Sequence, residues 1–170
     1  METLDGFYVK PGDITVDVGG IVVIQRCGYL IVQSGKVLML QAKDGHYFVP
    51  GGRVAAGLST LESMIQEVLE ETGIAITEKH ASPAVLSERF FVHRTRGRKC
   101  HETCVHYLVN FPEGAVVPEY ELDGAGFKFV WLPLASIADY EVREHFLFSG
   151  ISDISKGFHH ITFREKAFDA

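Results

Sequence analysis

The sequence predicts an α+β domain, a mixed β-sheet with helices packed on it, from three observations. Short β-branched and aliphatic runs punctuated by Gly and Pro come first, and a single 3.6-residue period interrupts them before residue 75. Strand-like runs then resume and give way to a helix-like stretch near the C-terminus. The 170 residues are 46% hydrophobic, enough for one core and too few for two large ones. No repeat, low-complexity tract or Pro/Ser-rich linker divides them, so residues 1–170 are expected to form a single domain.

The elements follow in order. Residues 29–33 and 36–41 are aliphatic runs separated by Ser34-Gly35, a turn signal for a hairpin. Tyr47, Phe48 and Val49 form a third run that ends at Pro50-Gly51-Gly52, where the chain is expected to bend and leave the sheet. Leu61, Met64, Ile65 and Val68 then mark one buried face of a helix. Ser59 with Glu62 fits a capping box and Gly73 fits the left-handed stop, giving a helix over about residues 60–72. Further strands are expected at 74–77, 85–93, 104–111 and 127–132. Arg94 to Arg98 read as a hairpin loop between the second and third of these. Residues 134–150 read as helical, and the tail from Ile151 has no clear pattern.

Composition excludes several functions. Sixteen Lys and Arg against 22 Asp and Glu give a net charge of −6, which argues against an extended nucleic-acid surface. The longest apolar stretches, such as residues 21–24 and 29–32, fall far short of the roughly 20 residues that span a bilayer, so no membrane role is expected. Three cysteines build no disulfide framework, and no basic-then-apolar leader opens the sequence. A reduced, cytoplasmic protein is expected.

The acids are not evenly placed. Glu67, Glu70 and Glu71 lie at i, i+3 and i+4, on one side of the helix beside its buried stripe. Like charges at this spacing repel by a few tenths of a kcal/mol, and carboxylates in a last turn oppose the helix dipole by about 0.3–1 kcal/mol. A divalent cation removes both penalties, and hard oxygen ligands without nearby His or Cys select Mg2+ or Mn2+ over zinc. A plain solvated helix face has the same composition. What separates the two is the context, a Gly-Gly bend before the helix and a Gly73-Ile74 exit after it.

These residues carry a resemblance. Residues 52–74 resemble the Nudix box, G-x5-E-x7-R-E-U-x-E-E-x-G-U with U a bulky aliphatic residue. Gly52, Glu67, Val68, Glu70, Glu71, Gly73 and Ile74 match in register. Phe48 to Gly51 before the box and Trp131 to Leu134 after it are also similar to the pattern of the MutT-like Nudix hydrolases. The resemblance implies an α/β/α sandwich with a loop-helix-loop box, and Mg2+-assisted hydrolysis of a nucleoside diphosphate linked to another moiety. Two positions depart from the pattern: Leu58 stands where the family has Glu, and Gln66 where it has the Arg that orients a catalytic carboxylate. A catalytically weak nucleotide-binding or regulatory module is therefore the alternative function.

By the same resemblance Glu67, Glu70 and Glu71, with the Gly51 carbonyl, would hold the metal. A metal-bound carboxylate is a poor proton acceptor, so the general base is sought elsewhere, with Glu102 first and Glu88 and Glu119 behind it. The catalytic set is thus Glu67, Glu70 and Glu102, and substrate contacts are expected from Gly52, Arg53 and Arg89. Arg94, Arg96, Arg98 and Lys99 concentrate positive charge in the hairpin loop, either to steer a polyphosphate or as a solvated tip. Phe90, Phe91 and Tyr47 have rings that can stack on a base, but aromatic residues in strands are usually core. Strand alternation sends His101 away from Cys100 and Cys104, so no zinc site is expected there, and His159-His160 reads as a surface or packing pair. The partner is a small nucleotide-type substrate. The resemblance also admits a homodimer, which no residue specifies.

Overall fold

A computed structural model describes residues 2–4, 7–149 and 153–170. In chain order the elements are β1 (Glu2–Leu4), β2 (Phe7–Val9), β3 (Thr15–Val18), β4 (Ile21–Leu30), β5 (Val32–Gln33), β6 (Lys36–Gln41), β7 (Tyr47–Phe48), β8 (Gly51–Arg53), α1 (Thr60–Thr72), β9 (Ala81–Val92), β10 (Lys99–Val109), β11 (Lys128–Pro133) and β12 (His159–Arg164). The larger sheet runs β12-β9-β10-β4-β3, with β8 paired to the end of β4. A smaller sheet runs β11-β6-β5, with β7 on β6, and β1 and β2 pair with each other. Because β10 lies parallel to β4 and β12 parallel to β9 while the other pairs are antiparallel, the large sheet is mixed, as the sequence predicts.

Local chemistry accounts for the best-defined elements. Ser34 (φ 49°) and Gly35 (φ 73°) both take left-handed conformations, the geometry of a two-residue hairpin turn, and they place Val32 opposite Val37. At the start of α1 the Ser59 hydroxyl accepts from the Glu62 amide at 3.2 Å, and the Glu62 carboxylate accepts from the Ser59 amide at 2.8 Å. At its end Gly73 (φ 72°) donates to the Leu69 carbonyl. The helix buries Met64 and Val68 completely against Tyr29, Leu38, Leu40 and Val54. Burial of that kind is worth about 1.5–3 kcal/mol per large aliphatic side chain. A second core of Leu30, Val37, Met39, Val85, Leu132 and Leu147 closes the other side.

Register sorts the site's residues onto two faces. On β4 and β10, Tyr29 pairs with Tyr107, and both reach α1, Tyr29 through Glu71 and Tyr107 through a hydrogen bond shared with Thr60. Arg26, Glu102 and Arg89 sit at the alternate positions and face away from α1.

Several expectations are corrected. The chain bends at Pro50 but does not leave the sheets. Gly51–Arg53 crosses from the small sheet to pair with β4, because two residues without side chains allow the backbone to approach it closely. Residues 74–77 form no ladder. Ile74 and Ile76 instead pack into the first core, which satisfies the hydrophobic pattern without a strand partner. The helix expected over 134–150 is replaced by 3-10 turns at Leu134–Asp139 and His145–Leu147, with Ser136 outside helical geometry (φ −124°); residue 150 lies outside the described residues. The tail carries β12, which the sequence left unassigned. The first aliphatic strand begins earlier than residue 29, at Ile21, and breaks at Ile31.

Candidate active site

The site is assembled around the two glycines of β8. A Cβ at Gly51 (φ 136°) would lie 2.3 Å from the Cys27 carbonyl oxygen, and one at Gly52 would lie 2.0 Å from Glu67 Oε1. Only glycine lets β8 sit between β4 and α1 this closely. The helix therefore presses a carboxylate directly onto the strand backbone.

Glu71 lies one turn further along, only 3% exposed. It accepts a 2.5 Å hydrogen bond from the Tyr29 hydroxyl and another from the Gly51 amide. Burial pushes its pKa up to about 8, with Glu67 adding to the rise and the Tyr29 and Gly51 hydrogen bonds opposing it. Burial also raises Glu67, helped by Glu70 and opposed by Lys10. Glu70 faces solvent, where it accepts from Gln66 Nε2 at 2.7 Å and from Lys10 Nζ at 3.3 Å. Lys10 is itself raised: burial works downward, but Glu67 and Glu70 overcome it. Leu58, at 38% exposed, offers no polar atom here.

The three aligned acids thus divide: Glu71 is buried, Glu67 is half-buried against Gly52, and Glu70 lies at the rim with Lys10. Among the described residues no three His, Cys, Asp or Glu side chains converge as a metal cage. The donor chemistry of Glu67 and Glu71 nevertheless fits a hard dication, since burial raises the proton affinity of both carboxylates and Glu67 adds to the rise at Glu71. The Gly51 carbonyl, expected to join them, accepts from the Arg26 guanidinium at 3.2 Å through one side of its oxygen.

The expected base lies elsewhere. Glu102 faces a small polar cavity with Arg26, Ser87, Cys104, His106 and Glu144, on the face away from α1. Burial disfavours the charge on Arg26, but Glu102, Cys104 and Glu144 outweigh it and hold its pKa above the ordinary value. Glu144 is raised by burial in spite of Arg26, and it accepts from the Val49 amide at 3.1 Å. His106, enclosed beside Ser87, is pushed down to about 3 by burial, and is neutral. Glu88 is engaged by His160 at 2.8 Å and Glu119 by Lys128 at 3.0 Å.

Of the expected substrate contacts, Gly52 meets Glu67, and Arg53 lies beside Arg26 with Asp13 3.9 Å away. Arg89 lies over the Phe91 ring at 4.2 Å with Glu165 at 3.6 Å. Phe90 stacks on His101 and carries Arg164 above it, and Tyr47 meets Tyr140 edge-on, so these aromatics serve the fold. All three cysteines are buried and free.

Sequence reasoning missed Tyr29, Arg26, Glu144 and Lys10. Two of them left a signal, a hydroxyl inside an aliphatic run that must find a partner once buried, and an arginine in the middle of an apolar strand.

Comparison with solved structures shows the fold. A mutator MutT protein from Bacillus halodurans superposes with a TM-score of 0.65 at 18% identity, over 85% of this chain and 92% of that one. A MutT protein from Methanosarcina mazei Go1 gives 0.53 at 22%, over 73% and 87%. A MutT Nudix hydrolase from Burkholderia pseudomallei gives 0.51 at 23%, over 66% and 84%. A search of curated protein sequences finds no match. The model of the Nudix domain matches residues 18–148, a span that holds β8, α1 and every box position discussed above, and the chain belongs to the Nudix family.

Proposed function

We propose that this Nudix chain is a Mg2+-dependent pyrophosphohydrolase. Its substrate is a nucleoside diphosphate linked to another moiety, in the class of nucleoside triphosphates, ADP-ribose, dinucleotides and sugar nucleotides. The observation that carries this reading is the closure of two helix carboxylates, the half-buried Glu67 and the buried Glu71, on the Gly51-Gly52 backbone. Nothing in folding alone favours two acids in that position. Glu67 and Glu71 would hold Mg2+, with Mn2+ a possible substitute. When bound, the ion would offset the negative charge of the substrate's phosphates and act as a Lewis acid.

The chain's own groups do the rest. Tyr29 and the Gly51 amide fix the Glu71 carboxylate in one orientation, a role that the neutral Gln66 does not fill. Gly52 lets the Glu67 carboxylate close on β8, and Arg53, beside Arg26 on the other face, with Arg89 two strands beyond β4, would receive the phosphate charge. Glu70, exposed and hydrogen-bonded by Gln66, is the proton acceptor for the attacking water; Glu102 is held against Arg26 and is assigned second. Lys10 pairs with Glu70 at 3.3 Å. β3 and β12 extend the large sheet at its two edges, and β12 lies beyond the family match, which supports residues 1–170 as one domain. No helix among the described residues is long and apolar enough to cross a membrane, and the free cysteines support a reducing, cytoplasmic setting.

The test is a Mg2+ assay against nucleoside triphosphates, ADP-ribose, NADH, dinucleoside polyphosphates and sugar nucleotides, with Glu71→Gln as control. The expected outcome is cleavage that Glu71→Gln reduces by more than the roughly hundredfold cost of losing an outer-shell partner. Gln66 and Leu58 favour a second reading, a Nudix module that binds nucleotide with little turnover. Tight binding with no cleavage of any substrate would establish it.

A further inference from the structure

A second charged region lies on the sheet face away from α1. Arg53 stands beside Arg26 in the β8–β4 pair, and Arg89 stands across from Glu102 in the β9–β10 pair. The loop after β9 folds back on itself: the His93 amide donates to the Arg98 carbonyl and the Gly97 amide to the His93 carbonyl, both at 2.8 Å, which holds Arg96 at the hairpin end. From the other side the Arg143 amide donates to the Tyr47 carbonyl at 2.9 Å, and its guanidinium lies 5.7 Å from the Phe48 ring, just upstream of the two glycines.

These cations sense one another. Burial and then Arg96, Arg143 and Arg89 lower His93; burial lowers Arg143 with Arg89 and Arg94 adding to it; burial and Arg26 lower Arg53, with a further contribution from Arg96. Glu102, Glu144, Asp13 and Asp44 offset part of the repulsion, yet Arg53 and Arg143 remain below their ordinary values. Arg89 Nε is also buried with no hydrogen-bond partner among the described residues. A buried donor left unmade is costly, and a bound acceptor removes the cost.

We propose that Arg53, Arg96, Arg89 and Arg143 form a polyphosphate groove leading away from Gly51-Gly52. The substrate then carries three or more phosphates in a row, as a nucleoside triphosphate or dinucleoside polyphosphate does, in place of the two of a sugar-linked diphosphate. The proposal rests on the pyrophosphohydrolase reading for its catalytic end alone. Charge supports it: a terminal triphosphate carries about −4 and a doubly substituted pyrophosphate about −2. A chain of net charge −6 repels both except where guanidiniums are gathered. Planar guanidiniums also bind phosphate oxygens two at a time, which suits successive phosphates along a row.

The groove is tested apart from turnover. Glu71→Gln protein is titrated calorimetrically, without divalent metal, against inorganic tripolyphosphate and inorganic pyrophosphate. Tripolyphosphate should bind about tenfold tighter, the effect of one further charge-assisted contact. Adding Arg89→Gln and Arg143→Gln should remove most of that preference. Arg96→Gln, at an exposed loop position where folding is not at stake, should weaken tripolyphosphate in the same direction by a smaller factor. Equal affinities for the two anions, or affinities untouched by both variants, overturn the groove. With Mg2+ and the unaltered chain, a higher kcat/KM for ADP-ribose than for a nucleoside triphosphate overturns it too and leaves the hydrolase standing. Selective tripolyphosphate binding with no cleavage of any substrate supports the groove and removes the hydrolase reading.

Discussion

The acidic end of α1 and the basic side of the β9–β10 hairpin approach the same two-glycine strand from opposite faces, and they hold like charges together by different means. Glu71 is held by dipoles, the Tyr29 hydroxyl and the Gly51 amide, and Glu67 lies against the Gly52 backbone, with a lysine at the rim. The guanidiniums are held by opposite charges and aromatic faces: Arg26 by Glu102 and Glu144, Arg89 by Phe91 and Glu165, Arg143 beside Phe48. Dipoles orient a carboxylate without neutralising it, so the first region retains its demand for a cation. Nearby acids offset part of the charge from within, so the second gives up only its surplus charge. The proposed ligand, a metal-bound polyphosphate, would answer both at once.

The largest effect that would break this contrast is at its centre. Arg26→Met removes the charged donor to the Gly51 carbonyl and the cation that shares a cavity with Glu102 and Glu144, and loss of a hydrogen bond to a charged group costs about 1.5–3 kcal/mol. Denaturant unfolding should show this, and an unchanged midpoint would mean that the charges are not coupled.

Next comes pH. The folded pKa of Glu71 lies near 8, above its unfolded value, so folding takes up a proton between the two. Its full contribution is present below about pH 4.5 and is lost as pH rises through about 8, an effect on the order of a few kcal/mol. Glu67 acts in the same direction. The metal-free chain should therefore melt at a lower temperature at pH 8.5 than at pH 5.5, roughly speaking, and Mg2+ should reverse the order because it binds the deprotonated pair. A melting temperature that rises with pH without metal would contradict the burial of Glu71.

Smaller again is Tyr29→Phe, which removes the hydroxyl and keeps the ring. Loss of an outer-shell partner weakens a metal site by roughly 10–100-fold. Mn2+ titration followed by electron paramagnetic resonance should show that loss with the thermal transition nearly unmoved. Lys10→Met should be smallest, since an exposed pair is worth less than about 1 kcal/mol. It sharpens the contrast all the same, because metal should bind slightly more tightly once the competing ammonium is gone.

What could be read from the sequence was whatever a short stretch of chain decides. The capping box, the Gly73 stop and the Ser34-Gly35 turn each depend on residues within a few positions, and all three were legible. The aligned glutamates were legible for the same reason, because a single helix fixes their spacing. Their different fates were not. Glu71 is buried by a tyrosine 42 residues away, Gly51 is held by an arginine 25 away, and Val49 by a glutamate 95 away. The failed helix after Pro133 and the unpaired residues 74–77 show a related limit: the apolar pattern demanded burial, and the core supplied it without regular secondary structure.

The parallel pairing of β4 with β10 carries a kinetic consequence. It joins Ile21 to Lys99 at one end and Leu30 to Leu108 at the other, whereas the β9–β10 hairpin can form from adjacent chain. Long loops must close before such a ladder is rewarded, so it is expected to zip late. Tyr29 and Arg26 both ride on β4, and the metal-ready carboxylates and the arginine row come into register only when that ladder is made. A partly folded chain would then have no working site, and Mn2+ affinity should return in the slowest refolding phase rather than with helix formation.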